Sequence, residues 1–163
     1  MLHRVILMRH AKSSWTSGAA SDHGRPLSGR GQRDAPRVGA RLAELGWVPD
    51  HVLTSDSART LETVEGVREA MDLDCDIEAR RDLYHAGIDE VREACYGLPA
   101  SVETVLIVGH NPGWEETLHA MCGESHEMTT ANAALLSREA TSWTAAINSG
   151  GWQLHDLVRP KEL

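Results

Sequence analysis

The sequence predicts an α/β fold, a three-layer α/β/α sandwich with a largely parallel central sheet, formed as one domain over residues 1–163. Three observations predict it. Continuous apolar runs recur along the chain, as strands covered on both faces require. Amphipathic helical patterns lie between them. No repeat, low-complexity tract or linker interrupts the alternation.

The first run is Val5-Ile6-Leu7-Met8. It is too short for a signal peptide or a membrane span, so the expected compartment is the cytoplasm and no membrane contact is expected. Residues 11–27 then show no clear periodicity. A loop this long inside a compact domain is usually functional or disordered, and its start beside Arg9 and His10 favours function. A helix follows, with Ala35, Val38, Leu42 and Leu45 on one face, Ser28 as its N-cap and Gly46 as its stop. Pro36 conflicts with an unbroken helix, so a late start or a kink is expected there.

Val52-Leu53-Thr54 forms the second strand, and Ala58, Leu61, Val64, Val67 and Met71 mark the stripe of a second helix. A short third helix is expected over Asp89 to Tyr96. Val105-Leu106-Ile107-Val108 is the third strand, and a fourth helix follows Pro112. Two final strands are expected at Ala133 to Ser137 and Trp152 to Val158, separated by a Gly150-Gly151 turn.

Composition is that of an ordinary globular protein, with 41% apolar and 25% charged residues. The formal net charge of −8 argues against nucleic-acid binding, which needs a basic face. It permits a phosphorylated substrate, because a few local arginines suffice to hold a phosphate. Cys75, Cys95 and Cys122 form no CxxC pair, and His3, His23, His51, His119, His126 and His155 lack metal-motif spacing. No zinc site, disulfide framework or cofactor is expected.

Polar clusters follow the three apolar strands: Arg9-His10, Ser55 to Arg59, and His110-Asn111. Ligands of open parallel sheets bind beyond the carboxyl ends of the strands. Two arginines and two histidines, distant in sequence, can therefore meet at one edge. The guanidinium fork matches phosphate oxygens, and a neutral imidazole can act as a nucleophile. Phosphoryl transfer needs positioning and charge stabilisation above all, and this set supplies both without a metal. Asn111-Pro112-Gly113 would add the amide donors of a helix N-terminus. Asp22, Arg25 and Pro26 read as a turn, with Arg25 a candidate substrate contact. Ser13 and Ser14 read as hydrogen-bonding loop residues, and Ser55 as a helix cap.

Leu7-Met8-Arg9-His10-Ala11-Lys12 resembles the Arg-His signature of the histidine phosphatase superfamily, which has the phosphoglycerate-mutase-like fold. Ala11 stands where the commonest form has glycine. Arg25-Pro26-Leu27-Ser28 with Gly31, Ser55 to Thr63, and Val108 to Gly113 resemble further segments of the family, in its order. The short length, RHAKSSW and VGHNPG point to the SixA-type phosphohistidine phosphatases. By that resemblance His10 is the phosphorylated residue, and Arg9, Arg59 and His110 hold the phosphate. The family's proton donor would fall near Asp82, with Tyr84 and His85 close by. None of these three is assigned as the donor; Asp82 is expected as a substrate contact, as are Arg25 from the long loop and Asn111 from the start of the fourth helix.

The expected substrate is a phosphorylated protein carrying phosphohistidine, or else a small phosphorylated metabolite. An alkoxide leaving group, with a conjugate acid near that of water at ~15.7, needs protonation. An imidazole, with a pKa of ~6.5, leaves with little help. A weak or absent general acid thus favours phosphohistidine. The stretch between Arg59 and His110 leaves little room for an inserted cap domain. Two alternatives follow: a small-molecule phosphomonoesterase using Asp82, and a non-catalytic phosphoryl-binding module.

Overall fold

The computed structural model describes residues 1–163. Strands β1 (Leu2–Arg9), β2 (His51–Ser55), β3 (Asp76–Arg80), β4 (Thr104–Gly109), β5 (Ala133–Glu139) and β6 (Gln153–Val158) form one sheet. Helices α1 (Gly29–Glu44), α2 (Ala58–Met71), α3 (Ile88–Tyr96), α4 (Gly113–Cys122) and α5 (Trp143–Ile147) cover it. The strand order is β3-β2-β4-β1-β5-β6. The first four run parallel, and β5 and β6 pair antiparallel at one side.

Alternation along the central strands explains the apolar runs. Val5, Leu7, Val105 and Ile107 point into a 22-residue core shared with α3, α4 and α5. Ile6, Met8, Leu106 and Val108 point into a 17-residue core shared with α1 and α2. Successive strand side chains face opposite ways, so a strand between two helical layers must be apolar at every position. This is the expected three-layer sandwich. No helix is long and apolar enough to cross a membrane.

Three expectations need correction, and two elements went unread. Helix α1 starts directly after its Ser28 cap and runs through Pro36, so there is no late start. Leu61, placed on the apolar stripe of α2, is 40% exposed. The buried face is instead Arg59, Thr60, Thr63, Val64 and Val67, polar at the end nearest the site. Strand β3 went unread because its sequence, DIEAR, is largely charged and exposed, as suits an edge strand. Helix α5 went unread because it has only five residues, between β5 and β6. The last strand begins at Gln153, and Trp152 packs into the core instead.

The loop of residues 11–27 is tied at its base. Ser13 and Leu27 form an antiparallel bridge, Ser14 N–H donates to Pro26 O at 2.8 Å, and Ser28 N–H donates to Lys12 O at 2.8 Å. Gly31 makes this closure possible, because a Cβ there would overlap the Lys12 carbonyl oxygen. The glycine seats the first turn of α1 against the chain that leaves β1.

Candidate active site

The parallel register of β1 and β4 sets Arg9 opposite Gly109, and His10 N–H donates to Gly109 O at 3.0 Å. His10 and His110, one residue past each strand end, thereby meet with ring centroids 5.2 Å apart. Arg59 enters from the first turn of α2, capped by Ser57. His10, Arg59 and His110 are each less than a tenth exposed.

Arg59 organises the centre. Its Nε donates to His10 Nε2 at 3.4 Å, and one terminal nitrogen faces His110 Nδ1 at 3.4 Å. Its other contacts go to the Asp22 carbonyl at 2.8 Å and the Asp22 carboxylate at 3.1 Å. The backbone is fixed too. Thr63 Oγ1 donates to Arg59 O and accepts from Ala11 N–H, which joins α2 to the residue after His10.

The tautomers follow from the partners. His10 Nδ1 lies 2.7 Å from Ala11 O. A carbonyl only accepts, so Nδ1 carries the proton and the Nε2 lone pair faces Arg59. His110 Nδ1 accepts from Arg59, leaving its Nε2–H to donate to Ser55 Oγ at 2.9 Å. Burial, with Arg59, Arg9 and Arg25 nearby, lowers the His10 pKa to about 4. Burial, then His10 and Arg59, lowers that of His110 to about 3. Both rings are neutral at pH 7.

A cavity of about 320 Å³ opens here, lined by His10, His110, Asn111 and the cations Arg9, Lys12, Arg25 and Arg59. Arg9 is held by donation to Met128 O at 3.0 Å. Arg25 donates to Ser13 Oγ and to Ser14 O, and stacks 3.3 Å from the centroid of the exposed Trp15 ring. Asn111 donates to Glu115 and to Met128 O. The arrangement can hold a phosphate dianion and present it with a neutral imidazole nitrogen.

Six of the seven expected site residues, Arg9, His10, Arg25, Arg59, His110 and Asn111, line this cavity. Asp82 does not. It makes a two-pronged pair with Arg80, at 2.9 and 2.8 Å, and that contact holds its carboxyl below the usual range. It has neither the place nor the proton of an acid. Sequence reasoning missed Asp22, read as a turn residue. Its carboxylate takes bonds from the Tyr84 hydroxyl, Arg25 and Arg59, and these hold it ionised far below the usual range. Only the Asp22–Arg25 spacing of three hinted at this. Ser55, read as a helix cap, instead faces His110, and Ser57 is the cap.

Comparison with known proteins bears on the family and the fold. The family model of the histidine phosphatase superfamily (branch 1) matches residues 5–94. An uncharacterised chloroplastic protein of Arabidopsis thaliana is 36% identical over 96% of this chain and 78% of its own. A solved structure from Nakamurella multipartitia, named as a phosphohistidine phosphatase SixA, is 27% identical, with a TM-score of 0.86 over 98% of this chain and 97% of its own. One from Agrobacterium tumefaciens, of the same designation, is 29% identical, with a TM-score of 0.81 over 97% of this chain and 98% of its own. The family match spans more than half of the chain, on a fold shared almost end to end, and this protein belongs to branch 1 of the histidine phosphatase superfamily.

Proposed function

We propose that this protein is a metal-independent phosphatase that removes the phosphoryl group from phosphohistidine on a protein, through a covalent intermediate on His10. In the first step the His10 Nε2 lone pair attacks phosphorus and the substrate's P–N bond breaks. The substrate ring, protonated on its other nitrogen, leaves as neutral imidazole and needs no further proton. Arg9, Arg59 and His110 surround the equatorial oxygens, where charge needs support. Phosphorylated His10 carries positive charge, which its Nδ1–H bond to Ala11 O stabilises. In the second step water attacks phosphorus, phosphate leaves, and the His10 lone pair returns.

One observation carries the choice of substrate. Asp22 is the sole carboxylate lining the cavity, and Tyr84, Arg25 and Arg59 hold it ionised. No carboxylic acid stands ready to protonate an alkoxide. An imidazole leaving group, with a pKa of ~6.5, has the least need of one. The designation of the two solved relatives points the same way.

The test compares kcat/KM for a histidine-phosphorylated protein, p-nitrophenyl phosphate and sugar phosphates, with and without EDTA. Quenching in alkaline detergent should trap an acid-labile, alkali-stable phosphoenzyme that is absent from His10→Ala. A preference for sugar phosphates would transfer the assignment to a small-molecule phosphomonoesterase. Loss of activity in EDTA would exclude the mechanism.

A further inference from the structure

A second cavity, about 510 Å³, adjoins the phosphoryl site. Arg9, Lys12 and Thr130 line both, so the two are continuous. Apart from Pro160, every residue lining it is polar or charged. Six of the chain's 16 cationic residues do: Arg9, Lys12, Arg30, Arg33, Arg37 and Lys161.

These cations come from four places in the chain. Arg9 ends β1, Lys12 opens the long loop, and Lys161 lies in the C-terminal turn. Arg30, Arg33 and Arg37 sit at spacings of three and four on α1, which puts them on one helix face. A solvated helix face would account for those three, but not for the convergence of the others upon them. Neutralisation is partial. Asp34 is the one acid present, and it pairs with Arg37 at 3.3 Å and Arg30 at 3.8 Å. Lys12, Arg33 and Lys161 make no ion pair.

We propose that this groove docks an acidic segment of the phosphorylated protein beside its phosphohistidine. The inference rests on the phosphohistidine reading of the site. The argument is charge complementarity joined to continuity. The chain as a whole carries −8, so an acidic partner is repelled over most of the surface. It is attracted at this cationic face, which is continuous with the cavity that holds His10. Such a field orients the encounter and raises the association rate. The cationic side chains are long and mostly exposed, which suits a flexible acidic strand.

The test uses Arg33→Glu/Lys161→Glu. Both residues are exposed, unpaired and outside the phosphoryl cavity. Two peptides are compared, each with one phosphohistidine, flanked by Asp and Glu or by Ser and Gly. Wild type should prefer the acidic peptide, with a preference that fades as salt rises. The double variant should lose about tenfold in kcat/KM on the acidic peptide, since two rim charges are reversed. On p-nitrophenyl phosphate it should stay within about twofold of wild type. Arg33→Lys should retain the preference.

A second arm reads the groove without phosphohistidine chemistry. An unphosphorylated Asp/Glu peptide should inhibit aryl phosphate hydrolysis competitively in wild type and not in the double variant. Equal inhibition of both proteins, or of neither, would overturn the proposal. Inhibition by a sugar bisphosphate but not by the peptide would assign the groove to a second phosphate and also overturn it. Failure of wild type to hydrolyse either phosphopeptide would strike the substrate reading instead, and the inhibition arm would still report on the groove.

Discussion

The two neutral, buried histidines make stability fall as the pH falls, and the fall can be worked out for His10. Its pKa is 6.5 in the unfolded chain and about 4 in the native state. Between those values the unfolded chain binds a proton that the native protein refuses. Acidification therefore favours unfolding, and the loss begins near pH 6.5 and ends near pH 4. From pH 7 to pH 5 this amounts to about 2 kcal/mol for His10 alone. His110, lowered to about 3, acts with the same sign. His10 is among the causes of that shift, so the pair contributes between about 2 and about 4 kcal/mol. Against a typical stability of about 5–15 kcal/mol, this is a large share.

Urea unfolding of wild type and His10→Gln at pH 7 and pH 5 measures it. Glutamine does not titrate, so the variant should lose about 2 kcal/mol less over this interval. Asp22 does not confuse the comparison, because its carboxyl titrates well below pH 5. The functional counterpart is nucleophile availability. At pH 6 about 1% of native His10 carries the extra proton, against about three-quarters of an unperturbed histidine. An NMR titration of the His10 ring protons checks this directly. Equal pH dependence in the two proteins, together with a His10 midpoint near 6.5, would refute the reasoning. The nucleophile would then be substantially charged in mild acid.

Three further outcomes are expected. Asp22→Ala should lower kcat about tenfold without raising KM, because it frees the Arg59 fork while removing a negative charge from the site; a raised KM with unchanged kcat would mean that Asp22 touches substrate. In a leaving-group series, kcat/KM should fall steeply with leaving-group basicity, equally in wild type and Asp82→Asn, since Asp82 is engaged by Arg80 outside the cavity; a steeper slope in the variant would make Asp82 a working acid. Gly31→Ala should cost about 1–3 kcal/mol in chemical denaturation, because the added methyl group must displace the Lys12 backbone; a change under about 0.5 kcal/mol would show that the first turn of α1 yields freely.

The sequence by itself determined the layers and the cations. Its strands β1, β2 and β4 were legible because burial on two faces leaves no room for polar residues in Val5–Met8 or Val105–Val108. The residues just past those strands were legible as a site because parallel strands end at the same edge. Edge strand β3 was hidden, since one face and one ladder open to water relax the demand for apolar residues. The five residues of α5 hold too little periodicity to announce a helix.

The tertiary structure decided which polar residues join the site, and in what state. Asp22 and Tyr84 are 62 positions apart, yet the folded loop brings the hydroxyl onto the carboxylate and both onto Arg59. Asp82, two residues from Tyr84, turns instead to Arg80 on the adjoining strand. No local pattern separates these two aspartates, because side-chain partnership depends on which distant backbone lies within reach. The same holds for the neutrality of His10. Its ring loses its proton through burial under a loop and an arginine supplied from elsewhere in the chain, and burial is a property of the packed molecule rather than of any segment of it.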